Sequence, residues 1–339
     1  MSGLKIAING FGRIGRTFFR AAYGKKLDIV AINDLGDIET LAHLLKHDSN
    51  YGEFPGKIEV VDGNLVVDNK PIAVSSEKNP ANLPWEKLEV DLVIESTGIF
   101  TDYESASAHI KAGAKNVIVS APCKGEKKVR TFVLGVNEDK FNIDEDKVVS
   151  MASCTTNCLA PVADVLHKAF NIKKLSMTTI HSYTMDQRLQ DDAHKDLRRA
   201  RSATQSIIPT TTGATEATAD VIPDLRGKMN GISYRVPMAT VSLIDAAVLV
   251  SKETTVSEVN EAFKKAALDP KYQGALAVSE EPLVSVDFKA NDHGAIVDLL
   301  STQVIDGNLI RAVAWYDNEM GYSERLASFC QYIETKINQ

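Results

Sequence analysis

Four cysteines in 339 residues (Cys123, Cys154, Cys158 and Cys330) are too few to suggest a disulfide framework, so a reducing cytoplasm is the expected compartment. Nowhere do 18 apolar residues run together, which argues against a membrane-spanning helix. The start, Met1-Ser2-Gly3-Leu4-Lys5, lacks a charged region followed by a long apolar one, so no signal peptide is expected. Excess positive charge is missing too. With 38 Lys+Arg against 45 Asp+Glu the net charge is −7, so neither nucleic acid nor an anionic membrane is an expected partner. Any phosphate must be held by a local cluster of donors. Internal repeats, low-complexity tracts and Pro/Ser-rich linkers are also absent, and no metal site is read.

What is there is an ordinary globular balance, 44% apolar and 24% charged, over a length that suggests two domains. The first half alternates: a strand at Lys5–Asn9, a helix at Arg13–Gly24, a strand at 29–33, then strands at Leu92–Glu95 and 116–120 around a helix at 103–112. Continuous apolar strands alternating with helices predict a parallel sheet covered on both faces. Between residues 48 and 74, turns at Pro55-Gly56 and Asp62-Gly63 predict an antiparallel insertion. Past Cys154 a helix at 155–170 precedes a strand at 175–180 and a polar, aperiodic stretch at 183–203. Segments 232–237, 240–250 and 295–299 are rich in β-branched residues and predict a mainly antiparallel sheet, with a helix at Val256–Leu268. The expected class is α/β: a doubly wound domain over 1–153 and an α+β domain over 154–318, with a terminal helix at about 319–339 docking back on the first.

Gly10-Phe11-Gly12-Arg13-Ile14-Gly15 follows a strand and opens a helix. Gly10 permits a tight turn, Gly12 lets backbone approach a pyrophosphate, and Gly15 lets the helix pack close to its strand. The helix N-terminus then offers N–H groups and partial positive charge to the phosphates. Asp34 ends the second strand, about 20 residues beyond the glycines, where an acid accepts from the ribose hydroxyls of NAD.

Ser153-Cys154-Thr155-Thr156-Asn157-Cys158 sits where a coil enters an apolar helix. A cysteine at a helix start is expected to gain thiolate character from the helix dipole. A thiolate attacks an aldehyde, and the hemithioacetal passes hydride to nicotinamide and leaves a thioester. That chemistry needs a base, and His181 ends the apolar strand at 175–180. A cysteine is more often a small buried hydrophobe, but Ser153, Thr155 and Thr156 put hydroxyls around this one. Cys158, four residues on, reads as packing.

Over essentially its whole length the sequence resembles phosphorylating glyceraldehyde-3-phosphate dehydrogenases. The stretches that carry the resemblance are INGFGRIGR at 8–16, ASCTTNCLAP at 152–161, His181–Tyr183, DLRRAR at 196–201, IIPTTTGA at 207–214, Arg235–Pro237 and WYDNE at 315–319. The resemblance implies a Rossmann cofactor domain, a catalytic α+β domain, a homotetramer, and glyceraldehyde 3-phosphate and inorganic phosphate as reactants. It implies Cys154 as nucleophile and His181 as general base. Thr184, Arg199 and Arg235 would take the substrate's phosphate, and Ser153, Thr155, Thr212 and Gly213 the attacking one. Asn318, with Tyr322 nearby, would hold the nicotinamide carboxamide, while Arg13 and Ile14 line the pyrophosphate and adenosine portion.

The chain departs from the family pattern at Met151, Met185, Met320 and Thr215-Glu216. Asp192-Ala193 stands where strict NAD users have Leu-Pro and photosynthetic NADP users Ala-Ser. Asp34 repels a 2′-phosphate, so NAD is the expected cofactor, with NADP left open as a second. Two other readings are an erythrose-4-phosphate dehydrogenase and a non-catalytic thiol sensor on the same fold. The Thr211-Thr212-Gly213-Ala214 run stands against the first, and His181 with two phosphate sites and Asn318 against the second.

Overall fold

The computed structural model describes residues 3–337; Met1, Ser2 and the last two residues of the helix expected at 319–339 lie outside them. The chain divides into two compact units: residues 1–132, 140–152 and 326–339 form one, and 133–139 and 153–325 the other.

The first unit runs β1 (Lys5–Asn9), α1 (Arg13–Gly24), β2 (Asp28–Asn33), α2 (Ile38–Lys46) and a small pair, β3 (His47–Asp48) with β4 (Gly52–Glu53). Next come β5 (Ile58–Val61), β6 (Asn64–Val67), β7 (Lys70–Ser75), β8 (Leu92–Glu95), α3 (Tyr103–Ala106), α4 (Ala108–Lys111), β9 (Asn116–Val119), β10 (Arg130–Thr131) and β11 (Val148–Ser150). Nine strands make one sheet in the order β10-β11-β9-β8-β1-β2-β7-β6-β5. Its pairs are parallel from β10 to β7, and only β7, β6 and β5 pair antiparallel, in the insertion expected at 48–74. Every residue of β8 and β9 is buried, as parallel strands covered on both faces must be.

The helix expected at 103–112 is two short ones that meet at Ser107, whose hydroxyl bonds the Tyr103 carbonyl. Helix α2 went unread in the sequence; Asp37 caps it by accepting from Thr40 N–H at 2.9 Å. The last part of the terminal helix packs on residues of this unit, with Phe329 stacked on Phe132 at 5.8 Å.

The strand order turns at β1, with β8 on one side and β2 on the other, which opens a crevice at the strands' carboxyl ends. Two glycines make the turn there. Gly10 has φ +92°, and a Cβ on it would sit 2.7 Å from Thr97 N. A Cβ on Gly15 would fall 2.1 Å from the Gly10 carbonyl oxygen, so α1 packs this close only on glycine.

The second unit contains α5 (Cys154–Phe170), β12 (Ile172–Ser182), β13 (Ile208–Thr210), α6 (Ala214–Val221), β14 (Met229–Val236), β15 (Ser242–Val250), α7 (Val256–Leu268), β16 (Leu276–Ser279), β17 (Ala295–Asp298), β18 (Gln303–Ile305) and β19 (Leu309–Tyr316). Helix α8 (Met320–Ile337) begins here. Its eight strands form a mixed, mainly antiparallel sheet, with parallel pairs β12–β14 and β16–β17. Along β15 alternate residues are buried (Ile244, Ala246, Val248 and Val250), and they pack with Leu159, Val162 and Leu166 of α5. Each of the valine, leucine and isoleucine side chains among them contributes about 1.5–3 kcal/mol on burial. Helix α7 begins in a capping box between Thr255 and Glu258. Among the described residues no helix is long and apolar enough to cross a membrane.

Candidate active site

Cys154 is the first residue of α5. Ser153 caps that helix, its hydroxyl accepting from Thr156 N–H at 3.1 Å. Strand β12 ends in His181 and Ser182, and its parallel register sets His181 opposite Arg235 of β14. Three residues far apart in sequence meet at this point. Cys154 Sγ lies 3.4 Å from His181 Nε2. His181 Nδ1 is 2.7 Å from the Ser182 carbonyl oxygen, so Nδ1 carries the proton and the Nε2 lone pair faces the sulfur. Arg235 Nη1, 2.9 Å from Nδ1, cannot donate to that protonated nitrogen; it donates to the Ser182 carbonyl and the Thr184 hydroxyl, both at 3.1 Å.

The electrostatics set burial against the expected effect of the helix start. Burial pushes the Cys154 thiol above its ordinary value, outweighing the Arg235 charge, the Thr155 hydroxyl and the helix-start N–H groups that pull it down. Burial and Arg235 also hold His181 down to about 3. The helix-start groups thus favour the thiolate as expected, and burial opposes them. Deprotonation requires the proton to pass to Nε2, and once the sulfur is negative its charge favours the imidazolium.

Around Arg235 the structure collects the residues expected to take the substrate's phosphate. Arg199 donates to the Thr210 hydroxyl from Nε (3.0 Å) and Nη2 (2.8 Å), and Nη1 pairs with Asp186. Thr184 donates to the same aspartate. Asp186 was missed in the sequence; a turn closed by Gln187 N–H on the Thr184 carbonyl at 3.0 Å brings it back to Thr184. Burial pushes its carboxyl up, but Thr184, Arg235 and Arg199 outweigh that and hold it below the ordinary range. Arg235 Nε is buried with no partner among the described residues, an orphan donor beside this cluster.

Thr155 is more enclosed than expected. Its hydroxyl contacts Tyr316 Oη at 3.0 Å, and Tyr316 Oη contacts Thr179 Oγ1 at 2.9 Å, so the phenol ties the first turn of α5 to β12. Tyr316 also sets its ring edge against His181, 5.9 Å between centroids. Only its place in the WYDNE run could have pointed to it. Thr212 and Gly213 form the N-terminus of α6, which packs on α5. Cys158 is fully buried with Sγ 3.9 Å from the Ala314 carbonyl oxygen, which is packing.

Asn318 is buried, and its Oδ1 accepts from Ser182 Oγ (2.9 Å) and Ser242 Oγ (3.1 Å), which turns its amide N–H₂ away from both serines. Tyr322 is buried in the first turn of α8.

In the first unit, Gly12 caps α1 with no side-chain hydrogen bond, and a Cβ there would meet nothing within 4 Å. Backbone donors over open space fit a pyrophosphate. The Asp34 carboxylate is fixed, accepting from Phe11 N–H at 2.6 Å and Gly36 N–H at 2.8 Å. The Arg13 side chain pairs with Asp48 and lies over the Tyr51 ring. What Arg13 and Ile14 present to a phosphate is therefore their place at the start of α1.

Residues 4–103 match the family model described as the glyceraldehyde 3-phosphate dehydrogenase NAD binding domain. Residues 153–318 match the C-terminal domain of the same family. A glyceraldehyde-3-phosphate dehydrogenase of Geobacillus stearothermophilus is 53% identical over 334 residues, covering 98% of this chain and 99% of the relative. One from Priestia megaterium is 51% identical with the same coverage. The chloroplastic A enzyme of Zea mays is 51% identical over 335 residues, 96% of this chain and 82% of the relative.

Proposed function

The chain belongs to the glyceraldehyde-3-phosphate dehydrogenase family, and on that premise we propose which of its own groups carry each part of the reaction. The protein is an NAD-dependent oxidoreductase that converts glyceraldehyde 3-phosphate and inorganic phosphate to 1,3-bisphosphoglycerate. The observation that carries the assignment is the Cys154–His181 contact at 3.4 Å beside Arg235.

Cys154 Sγ forms a bond to the aldehyde carbon while its proton moves to His181 Nε2. His181 then gives that proton to the new oxygen, making the hemithioacetal hydroxyl, and takes it back as the carbonyl re-forms and hydride leaves. NAD, when bound, supplies a hydride acceptor. Gly10, Gly12, Arg13, Ile14 and Gly15 would hold its pyrophosphate and adenosine portion, Asp34 its ribose, and Asn318, with Tyr322 nearby, its carboxamide. The thioester on Cys154 is then attacked by phosphate resting on Ser153, Thr155, Thr212 and Gly213, and the C–S bond breaks. Thr184, Arg199 and Arg235 hold the phosphate already on the substrate, where arginine forks match a dianion.

Steady-state rates with NAD and NADP, each with and without phosphate or arsenate, test this reading. We expect phosphate-dependent turnover and the higher kcat/KM with NAD, because the fixed Asp34 carboxylate repels a 2′-phosphate. Turnover equally fast without phosphate would end the phosphorolysis assignment. Arg199→Ala should cost about 10–150-fold in kcat/KM for glyceraldehyde 3-phosphate, the worth of a lost charge-assisted fork. It should cost little for unphosphorylated glyceraldehyde. An equal loss for both would make Arg199 structural.

A homotetramer is the assembly proposed. The long segment between β12 and β13 exposes Met185, Leu189, Leu197 and Ile207, apolar surface that a second copy would cover. A monomer in sedimentation velocity would refute it. The four cysteines are free, which agrees with the cytoplasm as the proposed compartment; recovery in another cell fraction would overturn that placement.

A further inference from the structure

The last residues of three neighbouring parallel strands, Asn33 of β2, Asn9 of β1 and Glu95 of β8, stand side by side in the sheet register. Their side chains are joined. Asn33 Nδ2 donates to Asn9 Oδ1 at 2.7 Å, and Asn9 Nδ2 donates to Glu95 Oε2 at 2.6 Å. From the other side, Trp85 Nε1 donates to His109 Nδ1 at 3.0 Å, and His109 Nε2 lies 3.0 Å from Glu95 Oε2. Trp85 and His109 are fully enclosed, and Glu95 and Asn9 are each only 1% exposed.

The direction of every link is fixed. An indole N–H can only donate, so His109 Nδ1 accepts and Nε2 must carry the proton that goes to Glu95. Asn33 Oδ1 accepts from Glu77 N–H at 2.9 Å, which sets that amide and, through it, Asn9. Glu95 Oε1 accepts from Thr97 N–H at 2.8 Å and from the Thr97 hydroxyl. Four donors thus converge on one buried carboxylate, and the ion pairs among the described residues give it no lysine or arginine. Burying such a group is costly, and well-packed apolar side chains in place of the whole network would cost little, although removing Glu95 alone would leave its donors buried and unpaired. A reason beyond stability is needed.

Geometry supplies one. Thr97 follows β8, and its hydroxyl also accepts from Ile99 N–H at 3.1 Å, ordering residues 96–99. This loop presses on the Gly10 turn backbone to backbone. Ser96 Oγ donates to the Gly10 carbonyl at 2.7 Å, and the space of a Gly10 Cβ is filled by Thr97 N. Gly10 N–H donates to the Asn33 carbonyl at 2.8 Å, and Asp34 is the next residue. The chain therefore joins the Gly10 turn, the Asp34 corner and the 96–99 loop, three walls of the crevice at the sheet's carboxyl end.

We infer that Glu95 is a positioning residue for the dinucleotide site, a buried acceptor hub that holds the 96–99 loop and the Asp34 corner in register with the Gly10 turn. The inference rests on placing the dinucleotide at Gly10–Gly15.

Glu95→Gln tests it with no change in shape. One oxygen becomes a donor, and it faces either Thr97 N–H or the Asn9 and His109 donors. Neither can reverse, because Asn33 and Trp85 fix them. The dissociation constant of the cofactor-free protein for NAD, read by calorimetry, should rise about 10- to 100-fold, while kcat at saturating NAD stays within about threefold. Amide exchange at Gly10 and Thr97 should quicken. Trp85→Phe, which removes the rearmost donor, should lower the melting temperature and leave the NAD constant within about twofold. Should Glu95→Gln fail to fold, Thr97→Val removes only the hydroxyl links and should still raise the constant about 5-fold. An NAD constant unchanged in whichever of these two variants folds overturns the inference. Gly12→Val separates the two ideas. NAD binding that survives Gly12→Val refutes the cofactor placement. If Gly12→Val abolishes binding and Glu95→Gln does not weaken it, only the Glu95 inference falls.

Discussion

Cys154→Ser is expected to lower aldehyde oxidation by at least about 10³-fold while NAD binding stays close to wild type. The substitution is nearly isosteric at the first position of α5, and Ser153 remains to cap the helix. What changes is acidity and leaving ability. Burial already pushes the Cys154 thiol up, and a hydroxyl in the same place is far harder to ionise. Even when formed, the oxygen ester is a poorer acyl donor to phosphate than a thioester. The measurement is a single-turnover burst of NADH with calorimetric NAD binding alongside. A burst of normal amplitude and rate in the folded variant would remove Cys154 from the mechanism.

His181→Asn is expected to slow hydride transfer by about 10²–10⁴-fold, the usual worth of a positioned proton acceptor. The signature lies in how Cys154 alkylation by iodoacetamide depends on pH. In the wild type His181 is held near 3, so Nε2 is free to take the thiol proton throughout the neutral range. Asparagine offers no such acceptor, so alkylation should slow and its midpoint move to higher pH. An unchanged profile would uncouple the two residues.

Stability carries the same information with its own sign. An unfolded His181 binds a proton below its ordinary value of 6.5, whereas the folded one refuses it until about 3. The unfolded state therefore gains protons first, and this residue's contribution to stability is lost as pH falls from 6.5 toward 3. In His181→Asn the denaturant midpoint should fall less steeply over that window.

Much of the fold was legible because its causes are local. The strand–glycine–helix unit from Lys5 to Gly24 declares itself by apolar runs and three glycines. Helix α7 declares itself by its period and by Thr255 three residues before Glu258. The break at Ser107 was not legible, since a serine there is compatible with one helix or two.

Of the site, the sequence by itself determined the chemistry-bearing types: a cysteine at a helix start, a histidine at a strand end, arginines and hydroxyls in a recognisable order. The tertiary structure alone decided how they behave. Parallel pairing of β12 and β14 brings Arg235 to His181 across 54 positions, and the Ser182 carbonyl chooses the tautomer. Burial opposes the thiolate character that the helix start lends. Asp186, Tyr316 and Glu95 acquire their roles only from neighbours that sheet register and chain turns place within hydrogen-bond reach. Desolvation and hydrogen-bond direction are sums over such non-local neighbours, and no window of sequence contains them.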